Sequence, residues 1–153
     1  MIKIAVCGAA GRMGQRIIVA VKEAGCELSG ALERPGHDLV GQDAGLLAGC
    51  GPLGVKISDD LNAVVDGCDV LIDFTTPKVS LKNLEVCGLK KKAIVIGSTG
   101  FTPEERLLAA ELAKDVPVII APNMSVGVNV CFKILKDVAK TLGDDFSHPH
   151  GGS

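Results

Sequence analysis

Short apolar runs and longer stretches of mixed character follow one another along this chain. Ile2–Cys7, Cys26–Leu32, Val70–Phe74, Ala93–Ile96 and Val116–Ala121 are nearly continuous in apolar residues. Such runs predict strands buried on both faces, and Val55-Lys56-Ile57 predicts a shorter one. Between them apolar residues return every three or four positions. Arg12–Glu23 carries Met13, Ile17, Ile18 and Val21 at helical spacing, with Gly25 as its stop. Ser58-Asp59-Asp60 offers caps for a helix over Leu61–Val65. Thr76-Pro77 gives a cap and a first-turn proline for a helix to about Lys90. Thr102-Pro103-Glu104-Glu105 is a capping box for a helix to about Lys114. A last amphipathic helix is predicted over Gly127–Leu142. Residues 35–54, punctuated by Gly and Pro, predict a long loop.

The junction after the first run changes this from a pattern into a candidate site. Gly8-Ala9-Ala10-Gly11-Arg12-Met13-Gly14 stands between a buried strand and a helix. A dinucleotide-binding unit needs these parts in this order. The first glycine permits the tight turn, the second lets backbone N–H groups approach a pyrophosphate, and the third lets helix and strand pack closely. The phosphates would face the positive end of the helix. Glu33 stands about twenty residues further on, at the tip of the second strand, where an acid accepts hydrogen bonds from ribose hydroxyls. Arg34 can pair with the 2′-phosphate of NADP, and Arg12 can assist. The pair suggests a site that accepts both cofactors; the alternative is an ordinary solvated loop. The predicted fold class is therefore α/β: a Rossmann-type, doubly wound, mainly parallel sheet with helices on both faces. Ligands would bind outside the carboxyl ends of the strands, at residues 8–14, 33–34, 73–77, 97–101 and 121–125.

Composition narrows the partners. The chain has 153 residues, 47% of them hydrophobic, and a formal net charge of −2. No basic field favours nucleic acid. With four Phe and no Trp or Tyr, base-stacking platforms are hard to build. The cysteines at 7, 26, 50, 68, 87 and 131 form no CxxC, and no Cys/His cluster has zinc-ligand spacing, so no metal site is expected. They read as reduced thiols of a cytoplasmic protein. No apolar stretch is long enough for a membrane span. Lys90-Lys91-Lys92 is read as offsetting a helix dipole rather than as a basic patch.

Taken together, Val6–Gly14, Ala31–Arg34, Ile72–Thr75, Gly97–Phe101 and Ala121–Asn129 resemble the dihydrodipicolinate reductases of lysine and diaminopimelate biosynthesis, from residue 1 to about 143. The resemblance implies NADH or NADPH as hydride donor and a cyclic dicarboxylate as substrate. It places Gly8, Gly11, Arg12, Met13 and Gly14 at the pyrophosphate and Glu33 and Arg34 at the adenosine ribose. Phe74 and Thr75 would flank the cofactor. Gly97 and Thr99 would lie near the nicotinamide, bordered by Asn123 and Met124, with Thr99 and Gly100 facing substrate. Residues 1–124 would form the dinucleotide-binding domain, 125–143 a hinge and helix leading toward the substrate domain, and 144–153 a flexible tail.

The family's substrate domain, with its paired histidines and lysine, has no counterpart here. His148 and His150 do not match it, no catalytic residue is assigned, and no His, Lys or Arg sits near loops 97–101 and 121–125. The expectation is a chain that binds cofactor without efficient turnover. The alternative is a non-catalytic nucleotide-binding or redox-sensing module. The apolar stripe of Val128, Cys131, Phe132, Leu135, Val138 and Leu142 suggests a homodimer through the helix 127–142.

Overall fold

A computed structural model describes residues 1–114, 116–120 and 133. Six strands and five helices alternate: β1 (Lys3–Cys7), α1 (Arg12–Glu23), β2 (Glu27–Leu32), α2 (Ala44–Ala48), β3 (Ile57–Ser58), α3 (Leu61–Asp66), β4 (Val70–Asp73), α4 (Pro77–Lys90), β5 (Ala93–Ile96), α5 (Pro103–Leu112) and β6 (Val118–Ile120). The strands form one sheet in the order β3-β2-β1-β4-β5-β6, and every pairing is parallel. The expected Rossmann-type architecture is thus present. Its chain reverses direction across the sheet between β1 and β4, which makes their carboxyl ends the switch point where such sheets bind ligands.

The period of two along each strand divides the core. Ile4 and Val6 of β1 face the same side as Ile17, Ile18 and Val21 of α1. Ala5 and Cys7 face the other side, with Val64 and Val65 of α3 and Leu84 and Cys87 of α4. Because both faces are covered, β4 is buried at all four residues, which is why its sequence is apolar without alternation. Ile17 and Ile18 are almost wholly excluded from water, and each contributes roughly 1.5–3 kcal/mol through that burial.

Helix ends follow the sequence closely. α1 and α4 keep their predicted bounds. Gly25 adopts φ +75° just past α1, a left-handed conformation that favours glycine. α3 runs one residue beyond its expected end, and α5 stops short of Lys114.

One region differs from expectation. Residues 35–54 are not all loop, for they contain α2. Asp43 organises it: its carboxylate accepts N–H bonds from Gly45 and Leu46, which cap the helix, and from Leu53 and Gly54, which close the following turn. These four bonds hold the Asp43 carboxyl below the ordinary carboxylate range, the bond from Leu53 contributing most. One acid replaces the periodic apolar signal that a longer helix would have shown. The helix expected over 127–142, and with it the dimer surface, lies outside the described residues.

Candidate dinucleotide site

The glycine turn is fixed by the strand beside it. The N–H groups of Gly8 and Ala9 both donate to the carbonyl of Leu32 at the end of β2, at 2.9 and 3.1 Å. Gly8 has φ +75°, and a Cβ there would stand 3.0 Å from the Thr75 methyl group. Gly14 is the packing glycine. A Cβ at that position would meet the Gly8 carbonyl oxygen at 2.1 Å and the Ala9 Cα at 2.8 Å, both backbone atoms. Only a residue without a side chain lets α1 come this close to the turn. Gly11 is the N-cap of α1, in extended conformation with φ −76°. No side chain caps this helix, and no acidic residue stands in its first turn. Its leading N–H groups therefore point outward from the carboxyl edge of the sheet with no internal acceptor of the usual kind.

The other expected residues divide. Glu33, half-buried, accepts the Ala10 N–H at Oε2 (2.8 Å) and the Arg34 N–H at Oε1 (3.3 Å). A carboxylate has about four acceptor sites, so it can also take ribose hydroxyls. Arg34 is exposed. Gly8, Glu33, Arg34 and Thr75 share one cavity of about 490 Å³. Arg12 is exposed at the first position of α1 and does not line that cavity. Met13 packs its side chain against the core, which leaves only its backbone toward a phosphate. Phe74 is buried, and its ring covers Gly97 so closely that a Cβ on Gly97 would lie 2.1 Å from the ring. Thr99 and Gly100 open into a separate hollow of about 470 Å³. Asn123 and Met124 lie outside the described residues.

That second hollow corrects one expectation. Arg106, one turn into α5, lines it together with Thr99 and Gly100. A cation therefore does stand near loop 97–101; the fold of α5 brings it there although it is absent from the loop itself.

Beneath the first cavity lies a buried polar cluster that sequence reasoning missed. Asp73 ends β4 fully buried. Its Oδ1 accepts the N–H and Oγ1–H of Thr75, at 2.9 and 2.5 Å, and its Oδ2 accepts from Asn83 Nδ2 at 2.9 Å. Asn83 also donates to Cys7 Sγ at 3.3 Å. The cluster fixes Thr75 against the glycine turn. Burial, followed by the nearby Asp73 carboxyl, pushes the Cys7 thiol up to about 12, so it stays protonated and unreactive at neutral pH. Ser80 and Ser98, both buried, share a 2.5 Å hydrogen bond that ties α4 to the loop after β5.

A glycine turn against β2, an uncapped α1 and an acid at the tip of β2 converge on the switch point of a parallel sheet. Residues 2–124 match the family model described as dihydrodipicolinate reductase, N-terminus. The chain belongs to the dihydrodipicolinate reductase family. It is 90% identical over 146 residues to a 4-hydroxy-tetrahydrodipicolinate reductase of Geobacter metallireducens, an alignment covering 95% of this chain and 55% of that protein. A reductase of the same name from Trichlorobacter lovleyi is 86% identical with the same coverage. Among solved structures, a dipicolinate-bound dihydrodipicolinate reductase from Paenisporosarcina superimposes with TM-score 0.63 at 27% identity, over 80% of this chain and 48% of that one. The chain thus spans about half the length of the curated relatives it matches. A nicotinamide dinucleotide is the cofactor this family membership indicates.

Among the described residues, no group of His, Cys, Asp and Glu is arranged to hold a metal ion, and no helix is long and apolar enough to cross a membrane. The described cysteines are all free, and Cys131 lies outside the described residues.

Proposed function

We propose that this chain is the NAD(P)H-binding portion of a 4-hydroxy-tetrahydrodipicolinate reductase, and that by itself it binds cofactor without efficient turnover. The observation that carries this reading is the start of α1. Its leading N–H groups have no side-chain cap, and the Gly8–Gly14 contact would be closed by any Cβ. That cradle fits a pyrophosphate, held by backbone amides after Gly11 and by the positive end of the helix. Glu33 takes the adenosine ribose. Phe74 and Thr75 line the path toward Gly97 and Thr99, where the nicotinamide lies, bordered by Asn123 and Met124, with Thr99 and Gly100 toward substrate. Bound there, the reduced nicotinamide supplies a hydride; the protein's own part is to hold and orient it.

In this reading residues 1–124 are the dinucleotide-binding domain and 125–143 lead toward the substrate-binding part of the relatives. Turnover needs a group that stabilises charge developing on the substrate. Arg106, exposed on α5, flanks the Thr99 hollow, and in this reading it does not by itself supply that group. The 90% identity to a reductase supports an enzyme portion over a non-catalytic sensing module. The free cysteines accord with a reducing, cytoplasmic setting.

Calorimetric titration of the chain with NADH and NADPH tests binding directly, and saturable heat is expected. Absence of binding to either cofactor overturns the reading. A steady-state assay with the dicarboxylate substrate tests the second half. Turnover of order 1–10³ per second, typical of enzymes, would show that the catalytic groups lie within these 153 residues.

A further inference from the structure

Among the described residues, four polar side chains are buried from water: Asp73, Ser80, Asn83 and Ser98. All four belong to one place, where the ends of β4 and β5 meet the inner face of α4. Ser80 and Asn83 stand three positions apart on that face. α1 buries Ile17, Ile18 and Val21 on its own inner face. A satisfied buried hydrogen bond adds little net stability over an apolar pair of the same shape. What a fully paired buried network does add is one rigid arrangement of the elements it joins.

The elements joined here carry the two threonines of the candidate site. Toward β4, Asn83 holds the Asp73 carboxyl, which in turn takes the N–H and the hydroxyl proton of Thr75. Thr75 lines the cavity of Glu33. Toward β5, Ser80 shares its 2.5 Å hydrogen bond with Ser98. Ser98 precedes Thr99, and both line the second hollow. The Asp73 carbonyl accepts the Gly97 N–H at 2.8 Å, and the Phe74 ring closes over Gly97. One face of α4 thus grips both loops.

We propose that Ser80 and Ser98 are positioning residues: their bond holds the loop 97–100 against the Thr75 loop, and with it the nicotinamide end of the cofactor in one orientation. The inference rests on the dinucleotide reading above and goes further than it. In that reading the adenosine and pyrophosphate lie at the ends of β2 and β1, and the nicotinamide lies at Gly97 and Thr99. Hydride transfer needs that ring fixed in distance and angle. Among the described hydrogen bonds, the Ser98 hydroxyl is the side-chain group that ties this loop to the interior. Without the tie the adenosine half stays seated and the nicotinamide half is freed.

The test compares NADH with ADP-ribose, which keeps the adenosine, the pyrophosphate and the second ribose but lacks the nicotinamide. Both are titrated calorimetrically into the unsubstituted chain, Ser80→Ala, Ser98→Ala and Ser80→Ala/Ser98→Ala. The unsubstituted chain is expected to bind NADH about tenfold more tightly than ADP-ribose. Each single variant leaves one buried hydroxyl unpaired and should melt at a lower temperature, whereas the double variant removes both hydroxyls and should recover most of the loss. In all three, NADH affinity should fall about tenfold and ADP-ribose affinity less than about twofold. Recovered stability with the NADH advantage still lost separates positioning from packing. Asp60→Ala removes the cap of α3; it should lower the melting temperature and leave the NADH advantage intact. The proposal is overturned, while the dinucleotide site stands, if the advantage survives in the double variant, if both ligands weaken alike, or if Asp60→Ala abolishes the advantage too. An unsubstituted chain that binds ADP-ribose as tightly as NADH overturns it equally. If neither ligand binds, the dinucleotide reading falls and the proposal with it.

Discussion

α1 and α5 both begin at the carboxyl edge of the same parallel sheet, and they begin in opposite ways. At α5, Thr102 Oγ1 accepts the Glu105 N–H at 3.1 Å while Glu105 Oε1 accepts the Thr102 N–H at 2.9 Å. Pro103 fills the first helical position, and two acids face the positive end. This helix satisfies itself. α2, α3 and α4 do likewise through Asp43, Asp60 and Thr76. At α1 the cap is a glycine, no side chain reaches back, and the first turn carries no acid. A cap contributes about 1 kcal/mol, and α1 forgoes it. Its stability comes from Ile17, Ile18 and Val21 against the sheet. The difference separates a helix end that satisfies its own N–H groups from one whose leading N–H groups have no side-chain cap, the feature on which the proposed pyrophosphate position rests.

The comparison can be broken most severely at Gly14. In Gly14→Val the new Cβ must displace the Gly8 carbonyl and Ala9, and α1 can no longer seat against the turn. Overpacking of this kind typically costs about 1–3 kcal/mol, occasionally more. A thermal melt should show the loss, and fluorescence titration should show NADH binding gone. Binding equal to that of the unsubstituted chain would make the glycine turn a packing feature only.

Gly11→Asp sharpens the comparison by giving α1 the cap its sister helices have. A Cβ at Gly11 clears the Gly8 oxygen at 3.4 Å, and the backbone is already extended. The helix should gain a few tenths of a kcal/mol, as Gly-to-Asp changes at N-caps do. Cofactor affinity should fall by about a hundredfold or more, because the new carboxylate occupies and repels the phosphate position. A melt together with a titration separates the two effects. Stabilisation with unchanged affinity would place the pyrophosphate elsewhere.

Thr102→Ala is the converse. It removes half of the capping box on α5 and should cost about 1 kcal/mol in denaturant unfolding, with cofactor affinity unchanged. A loss of affinity matching that at Gly11 would erase the distinction between the two helix ends.

The smallest effect is expected at Asp43, the cap of α2. Its carboxyl is held below its ordinary value of 3.8 by four backbone N–H bonds. A depressed folded value means that the stabilisation is fully present above 3.8 and is lost as pH falls through the lower folded value. Melting temperatures of the unsubstituted chain and of Asp43→Asn should therefore differ at neutral pH and converge in strong acid. A constant difference across that range would assign the role of Asp43 to shape rather than charge.

Much of the fold was legible because local physics spoke clearly. The Thr102–Glu105 box, Thr76-Pro77 and the apolar runs each carry their signal within a few residues. α2 was not legible, because one carboxylate gathers four amides spread from Gly45 to Gly54, and a five-residue helix shows no period. The glycine turn and Glu33 were readable as candidates from order and spacing. The Asp73–Asn83–Cys7 cluster was not, for Asn83 and Cys7 are far apart in sequence and meet only across the packed face of the sheet. Lys78 and Lys82 could be placed on one face of a helix by spacing, yet nothing local says which wall that face forms.

By itself the sequence determined the alternation of strand and helix, the buried parallel sheet and the place where backbone must be bare of side chains. Those follow from period, turn chemistry and the steric demands of glycine, which act over a few residues. Only the tertiary structure decided that the tips of β1, β2 and β4 stand together and that the Met13 side chain packs against the core. It also decided that Thr99 opens into a different hollow from Glu33, with Arg106 beside it, and that Lys78 and Lys82 of α4 line the same cavity as Arg34. These depend on strand order and helix docking, which set distances between residues that no local spacing relates.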